Sequence, residues 1–155
     1  MNFKEKMVLF LATGFYVGNI PKAPGTVGTI EGLLFCFFLS KMALFYVIIF
    51  VAFFILFSIW ISDRAERILQ EKDSGSIVID EIAGIMVTLI GMPFNFITVI
   101  SGFFVFRLLD IIKPFPICSV EKRLSGGFGI VMDDVVAGII GNCILRVIFY
   151  STGLI

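Results

Sequence analysis

The chain has 155 residues, of which 59% are hydrophobic and only 15% charged, with a mean hydropathy of +1.07 and 12 basic against 12 acidic side chains. A soluble domain is about 45–50% apolar and about 25% charged, and a chain this short cannot hide so large an apolar excess in one core. This composition excludes a disordered segment, a nucleic-acid binder and an ordinary cytosolic enzyme, and it points to a single integral membrane domain over residues 1–155.

In chain order, residues 7–20 are apolar but contain Gly14 and Gly18, and read as an interfacial or re-entrant helix. Thr26 to Leu39 reads as a short helix with Thr26 as its N-cap. Ala43 to Ile61 is an uncharged run of 19 residues that runs on into Asp63, Arg64, Glu66 and Arg67, so the same helix is expected to cross the membrane and continue into water. Ile82 to Phe106 is uncharged for 25 residues but broken by Pro93 and Asn95, which predicts a helical hairpin. Its arms are expected over Asp80 to Met92 and Phe96 to Ile112, the second stopping before Lys113-Pro114. A last helix is expected from Asp133 to Tyr150. The fold class is therefore all-α: a small polytopic membrane bundle of four to five membrane helices with an N-terminal interfacial or re-entrant helix.

Alternating these spans with the loop after Ile61 in the cytoplasm places Lys4, Lys6, Lys22, Arg64, Arg67, Lys72, Arg107, Lys113, Lys122 and Arg123 on that side, against Lys41 and Arg146 on the other. That bias follows the positive-inside rule. The same topology gathers the polar motifs at one face: Pro24-Gly25-Thr26, Asp80-Glu81, Arg107 with Asp110 and Lys113, and Asp133-Asp134.

Asp80-Glu81 and Asp133-Asp134 each follow a glycine-bearing segment and open an expected helix, where acids serve ordinarily to complement the macrodipole. Two such pairs at one face would repel unless a cation joined them, and carboxylate oxygens suit Mg²⁺ or Mn²⁺. Arg107, Asp110 and Lys113 are spaced so that successive members share a helix face. They form either a helix-end ion pair with snorkelling bases or a seat for an anionic headgroup, with Asp110 joining the metal shell or orienting Arg107. Gly25 and Thr26 lie where a loop enters a helix, a place where backbone N–H groups can receive phosphate. Gly28 and Gly32 are better explained by helix packing, and Glu31 has no evident partner.

A cation site with bases beneath a bilayer suggests a phosphorylated lipid. Chemistry dependent on histidine is excluded, because the chain has none. Cysteine phosphatases need five residues between the cysteine and an arginine, whereas four separate Cys118 from Arg123 and two separate Cys143 from Arg146. The three cysteines are scattered and form neither a disulfide framework nor a zinc site. The Asp-x-Asp of haloacid-dehalogenase phosphatases and the motif of CDP-alcohol phosphotransferases are absent. Carboxylate-bound Mg²⁺ activating water survives, as does an Asp nucleophile. From another class, a small cation transporter or channel subunit could use the same acids as an ion path, and a non-catalytic lipid-binding protein or a phosphatidic acid phosphatase are further readings.

Five segments in order complete the reading: Pro24-Gly25-Thr26-Val27-Gly28; residues 75–81, ending in Asp80-Glu81; residues 106–110, with Arg107 and Asp110; Lys113-Pro114-Phe115-Pro116-Ile117; and residues 126–138, with Asp133-Asp134. Together they resemble the phosphatidylglycerophosphatase A family. The resemblance implies a multi-pass enzyme of the bacterial cytoplasmic membrane, Mg²⁺-dependent, that hydrolyses phosphatidylglycerophosphate to phosphatidylglycerol and phosphate with its site facing the cytoplasm. By position it implies that Asp80, Glu81, Asp133 and Asp134 are the metal and catalytic acids. Arg107, Asp110 and Lys113, with Gly25 and Thr26, would then hold the phosphate.

Overall fold

The computed structural model describes residues 1–152, apart from the side chains of Glu121 and Lys122. Lys122, counted above among the bases of one face, therefore lies outside the described side chains. Within these residues the chain is all-α: α1 (Phe3–Ala12), a 3-10 turn (Val17–Asn19), α2 (Pro24–Leu39), α3 (Leu44–Leu69), α4 (Ile79–Leu89), α5 (Phe96–Ile112), α6 (Ile117–Arg123) and α7 (Gly126–Thr152).

The N-terminal helix begins earlier and ends sooner than its apolar stretch suggests. Asn2 and Glu5 form a reciprocal capping box, which fixes the start of α1. Gly14, Phe15 and Tyr16 all take positive φ, which breaks the helix before residue 20. Thr26 is not the N-cap of α2. Ala23 holds that position with φ 52°, and Pro24 opens the helix, where its missing N–H costs nothing.

α3 and α5 follow the sequence closely. α3 runs unbroken from the apolar stretch through Arg67, and Asn95 caps α5 by accepting from the Thr98 amide at 2.9 Å. Lys113 ends α5 in the left-handed conformation, before Pro114. α6 has no counterpart in the expected elements. α7 begins at Gly126, seven residues before Asp133, so Asp133 and Asp134 lie two turns inside a helix and not at its start. That pair is therefore too far from the helix start to complement its macrodipole.

The architecture is built around α4. Every residue of this helix except Glu81 is buried, and α2, α3, α5 and α7 pack around it. At 11 residues it is about 16 Å long, roughly half of a bilayer core. α3 and α7 are each long and apolar enough to cross a membrane. α3 turns its large side chains outward, with Phe45 68% and Phe53 69% exposed. A soluble protein does not leave such a surface to water, and the chain is read as a membrane protein.

Small residues set the helix spacing. A Cβ on Gly84 would lie 2.4 Å from the Phe106 ring, and one on Gly138 would lie 2.5 Å from the Gly84 carbonyl oxygen. α4 and α7 thus cross in backbone contact. On its other side α4 meets the Gly28–Gly32 face of α2, where added Cβ atoms would meet Val78 at 2.7 Å and Ile85 at 2.3 Å. The packing role expected of these two glycines is what the structure gives.

Candidate active site

The glycine crossing also places the acids. Asp80 lies four residues before Gly84 on α4, and Asp134 four residues before Gly138 on α7, so each acid sits one turn from the crossing. Carboxylate oxygens of Asp80, Glu81 and Asp134 come within 4.8 Å of one another. Asp80 is 8% and Asp134 3% exposed, and Glu81 is 15% exposed over its side chain.

One oxygen of each is buried without a hydrogen-bond partner: Asp80 Oδ1, Glu81 Oε2 and Asp134 Oδ2. An orphaned buried polar atom is costly, and three converging carboxylates repel in the low dielectric of a helix bundle. A divalent cation would relieve both, so this donor set fits a hard metal ion such as Mg²⁺.

Asp133 is not the fourth member of this group. Neighbouring residues on a helix point about 100° apart, and Asp133 faces Lys113, whose Nζ donates to Oδ2 at 2.7 Å. Its other oxygen accepts from the Asp134 amide at 3.1 Å. The four acids thus divide into a trio with open valences and one carboxylate engaged by a base.

Arg107 borders the trio. Its Nη1 donates to Asp110 Oδ2 at 2.6 Å and stands 3.9 Å from Glu81 Oε1. Its Nε is buried and unpartnered, which leaves a donor for an anion. Asp110 therefore orients Arg107. Gly25 is packed directly on this pair: an added Cβ would lie 2.1 Å from Glu81 Oε1 and 3.2 Å from Arg107 Nη1. The Thr26 amide donates to the Ala23 carbonyl at 3.0 Å, so this N–H is already spent and the expected phosphate cradle there loses it. A cleft of about 550 Å³, lined in part by Lys72, Asp73 and Asp133, opens beside the Lys113–Asp133 pair.

The sequence reading had every polar member of this site but not what brings them together. Gly84 and Gly138 were missed as positioning residues. The repeated spacing Asp80…Gly84 and Asp134…Gly138 was the available signal.

The fold and the site define a helical membrane protein with a buried carboxylate trio that could hold a cation, bordered by an arginine, with a lysine on the adjacent Asp133. The phosphatidylglycerophosphatase A family model matches residues 10–149. The chain is 35% identical over 136 residues to the Escherichia coli protein named phosphatidylglycerophosphatase A, covering 87% of this chain and 79% of that one. It is 36% identical over 142 residues to the Haemophilus influenzae protein of the same name, covering 90% and 87%. It is also 31% identical over 153 residues to a Bacteroides thetaiotaomicron protein provisionally named phosphatidylinositol-3-phosphatase, covering 94% and 95%. No solved structure matches. The chain belongs to the phosphatidylglycerophosphatase A family.

Proposed function

We propose that the chain is a phosphoric monoester hydrolase that converts phosphatidylglycerophosphate to phosphatidylglycerol and inorganic phosphate. Family membership, with two relatives of that name matched over most of the chain, carries the reaction. The observation that carries the site is the set of three orphaned carboxylate oxygens on Asp80, Glu81 and Asp134.

In this reading the chain is one membrane domain over residues 1–155 with four to five membrane helices, and its acid end faces the cytoplasm. The acyl chains stay in the bilayer and the headgroup lies along the acid end of α4. Asp80, Glu81 and Asp134 would hold Mg²⁺, which when bound supplies Lewis-acid polarisation of a phosphate oxygen and a more acidic water. Arg107, held by Asp110, offers its Nε to the phosphomonoester. Lys113 exchanges part of its bond with Asp133 for the same anion, and Asp133 keeps the ammonium in place between turnovers. Gly25 leaves room for Glu81 and Arg107 beside the phosphate. Asp80 is our choice as acceptor of the attacking water's proton, since its Oδ1 is buried, unpartnered and within the trio.

The test is phosphate release by purified protein in mixed micelles, with Mg²⁺ and then with EDTA. Phosphatidic acid and phosphatidylinositol 3-phosphate are run beside phosphatidylglycerophosphate, the latter because of the third relative's name. Release from phosphatidylglycerophosphate, preferred over the other two and stopped by EDTA, is the expected result. No release from a folded protein would overturn the reading and favour a cation path through the same acids.

A further inference from the structure

A second feature lies away from the acid trio, where α1 crosses the charged end of α3. The two helices border a groove of about 930 Å³ whose apolar lining includes Phe3, Met7 and Trp60. These side chains are exposed, Phe3 at 78%, Met7 at 42% and Trp60 at 53%. The groove is also charged. Lys4, Arg64 and Arg67 line it, with Glu5 as the one acid of α1 among them. Glu5 is turned back to accept from the Asn2 amide at 2.9 Å and stands 4.0 Å from the Met1 α-ammonium, which also lines the groove and offsets its charge, and Arg67 is matched by Asp63 at 2.8 Å. Among the described residues, Lys4 and Arg64 are left to set the sign of the groove.

Its level relative to a bilayer is set by α3. Trp60, the single tryptophan of the chain, lies one turn before Arg64, whose guanidinium stands 5.9 Å from the indole ring centre. A tryptophan followed by a base at the end of an apolar span marks the headgroup level. The groove thus has an apolar floor on its membrane side and two positive side chains at its rim.

We propose that the α1–α3 groove is a seat for an anionic phospholipid, an acyl chain lying along Phe3, Met7 and Trp60 and the headgroup phosphate meeting Lys4 and Arg64. Charge complementarity selects an anionic over a zwitterionic lipid, by about fivefold for each basic side chain at the headgroup level. The site is separate from the acid trio and does not depend on turnover.

Trp60 supplies the readout. The protein is reconstituted in phosphatidylcholine vesicles carrying a small fraction of brominated phosphatidylserine or, in parallel, brominated phosphatidylcholine, and quenching of Trp60 is measured. Phosphatidylserine has no phosphomonoester, so it reports this groove and not the proposed reaction. The expected result is stronger quenching by the anionic probe, reduced by added salt and abolished in Lys4→Gln with Arg64→Gln, two exposed positions where substitution leaves the fold intact. Asp80→Asn should keep the preference. Equal quenching by the two probes in the unaltered protein, or a preference that survives the double substitution, would overturn the proposal.

Discussion

α4 has two ends made of similar polar material, and they are finished in opposite ways. At its C-terminal end Asn142 Nδ2 donates to the carbonyls of Thr88 and Ile90 at 2.8 and 3.0 Å. Arg146 joins the same Ile90 carbonyl at 3.0 Å and locks Asn142 through its Oδ1 at 2.8 Å. Carbonyls that end a helix at membrane depth need such partners, and α7 brings them. At the N-terminal end the same two helices meet, yet Asp80, Glu81 and Asp134 each keep a buried oxygen with no partner. One network is closed and holds the bundle together. The other is open and leaves carboxylate oxygens that a cation could join. A buried polar group that is fully matched reads as structure, and one left unmatched beside two others like it reads as a binding site.

The comparison can be broken by substitutions at each end. Asp80→Asn or Asp134→Asn should lower phosphate release by about 10²–10⁴-fold with no loss of thermal stability, because each change removes one of three crowded charges. A variant of either kind with full turnover in the phosphate-release assay would remove the acid end from the chemistry. Gly25→Ala should cost about 10²-fold in kcat, the effect expected of a displacement near 1 Å, since its methyl group must push Glu81 away from Arg107. Circular dichroism should show the helix intact. At the opposite end the readouts exchange places. Asn142→Ala should cost about 1–3 kcal/mol of stability by leaving the Thr88 carbonyl without its side-chain partner, measured by thermal unfolding in detergent, while kcat changes little. Asn95→Ala, which removes the cap of α5 and the acceptor of the buried Thr98 hydroxyl, should cost about 1–2 kcal/mol and leave turnover unchanged.

How much of this was legible in the chain varied with the kind of signal. α3 and α5 were readable because their ends are written in local chemistry: the charges from Asp63 onward, Asn95 as a cap, and Lys113 before Pro114. The start of α7 was not. Glycines at 126, 127 and 129 suggest a loop, but a Cβ on Gly127 would lie 2.2 Å from the Ile59 carbonyl oxygen, and one on Gly129 would lie 2.9 Å from Leu124. Those glycines serve close approach to neighbouring segments, a tertiary cause that propensity does not register. The identity of every charged site residue was visible, but their grouping was not. Lys113 and Asp133 are 20 positions apart in sequence, and nothing local says that they pair. The helical angle between adjacent residues could have warned that Asp133 and Asp134 face different partners. Glu31, without an evident partner in the sequence, has both carboxylate oxygens buried and unpartnered.

The central claim is that the open valences at the acid end of α4 are completed by a divalent cation. Thermal unfolding of the detergent-solubilised protein with and without Mg²⁺ tests it directly, because an ion that binds only the folded state raises the melting temperature by mass action. The melting temperature should rise for the unaltered chain, stay unchanged for Asp134→Asn, and rise fully for Asn142→Ala from its lower starting point. No rise in the unaltered chain, or an equal rise in Asp134→Asn, would contradict the claim.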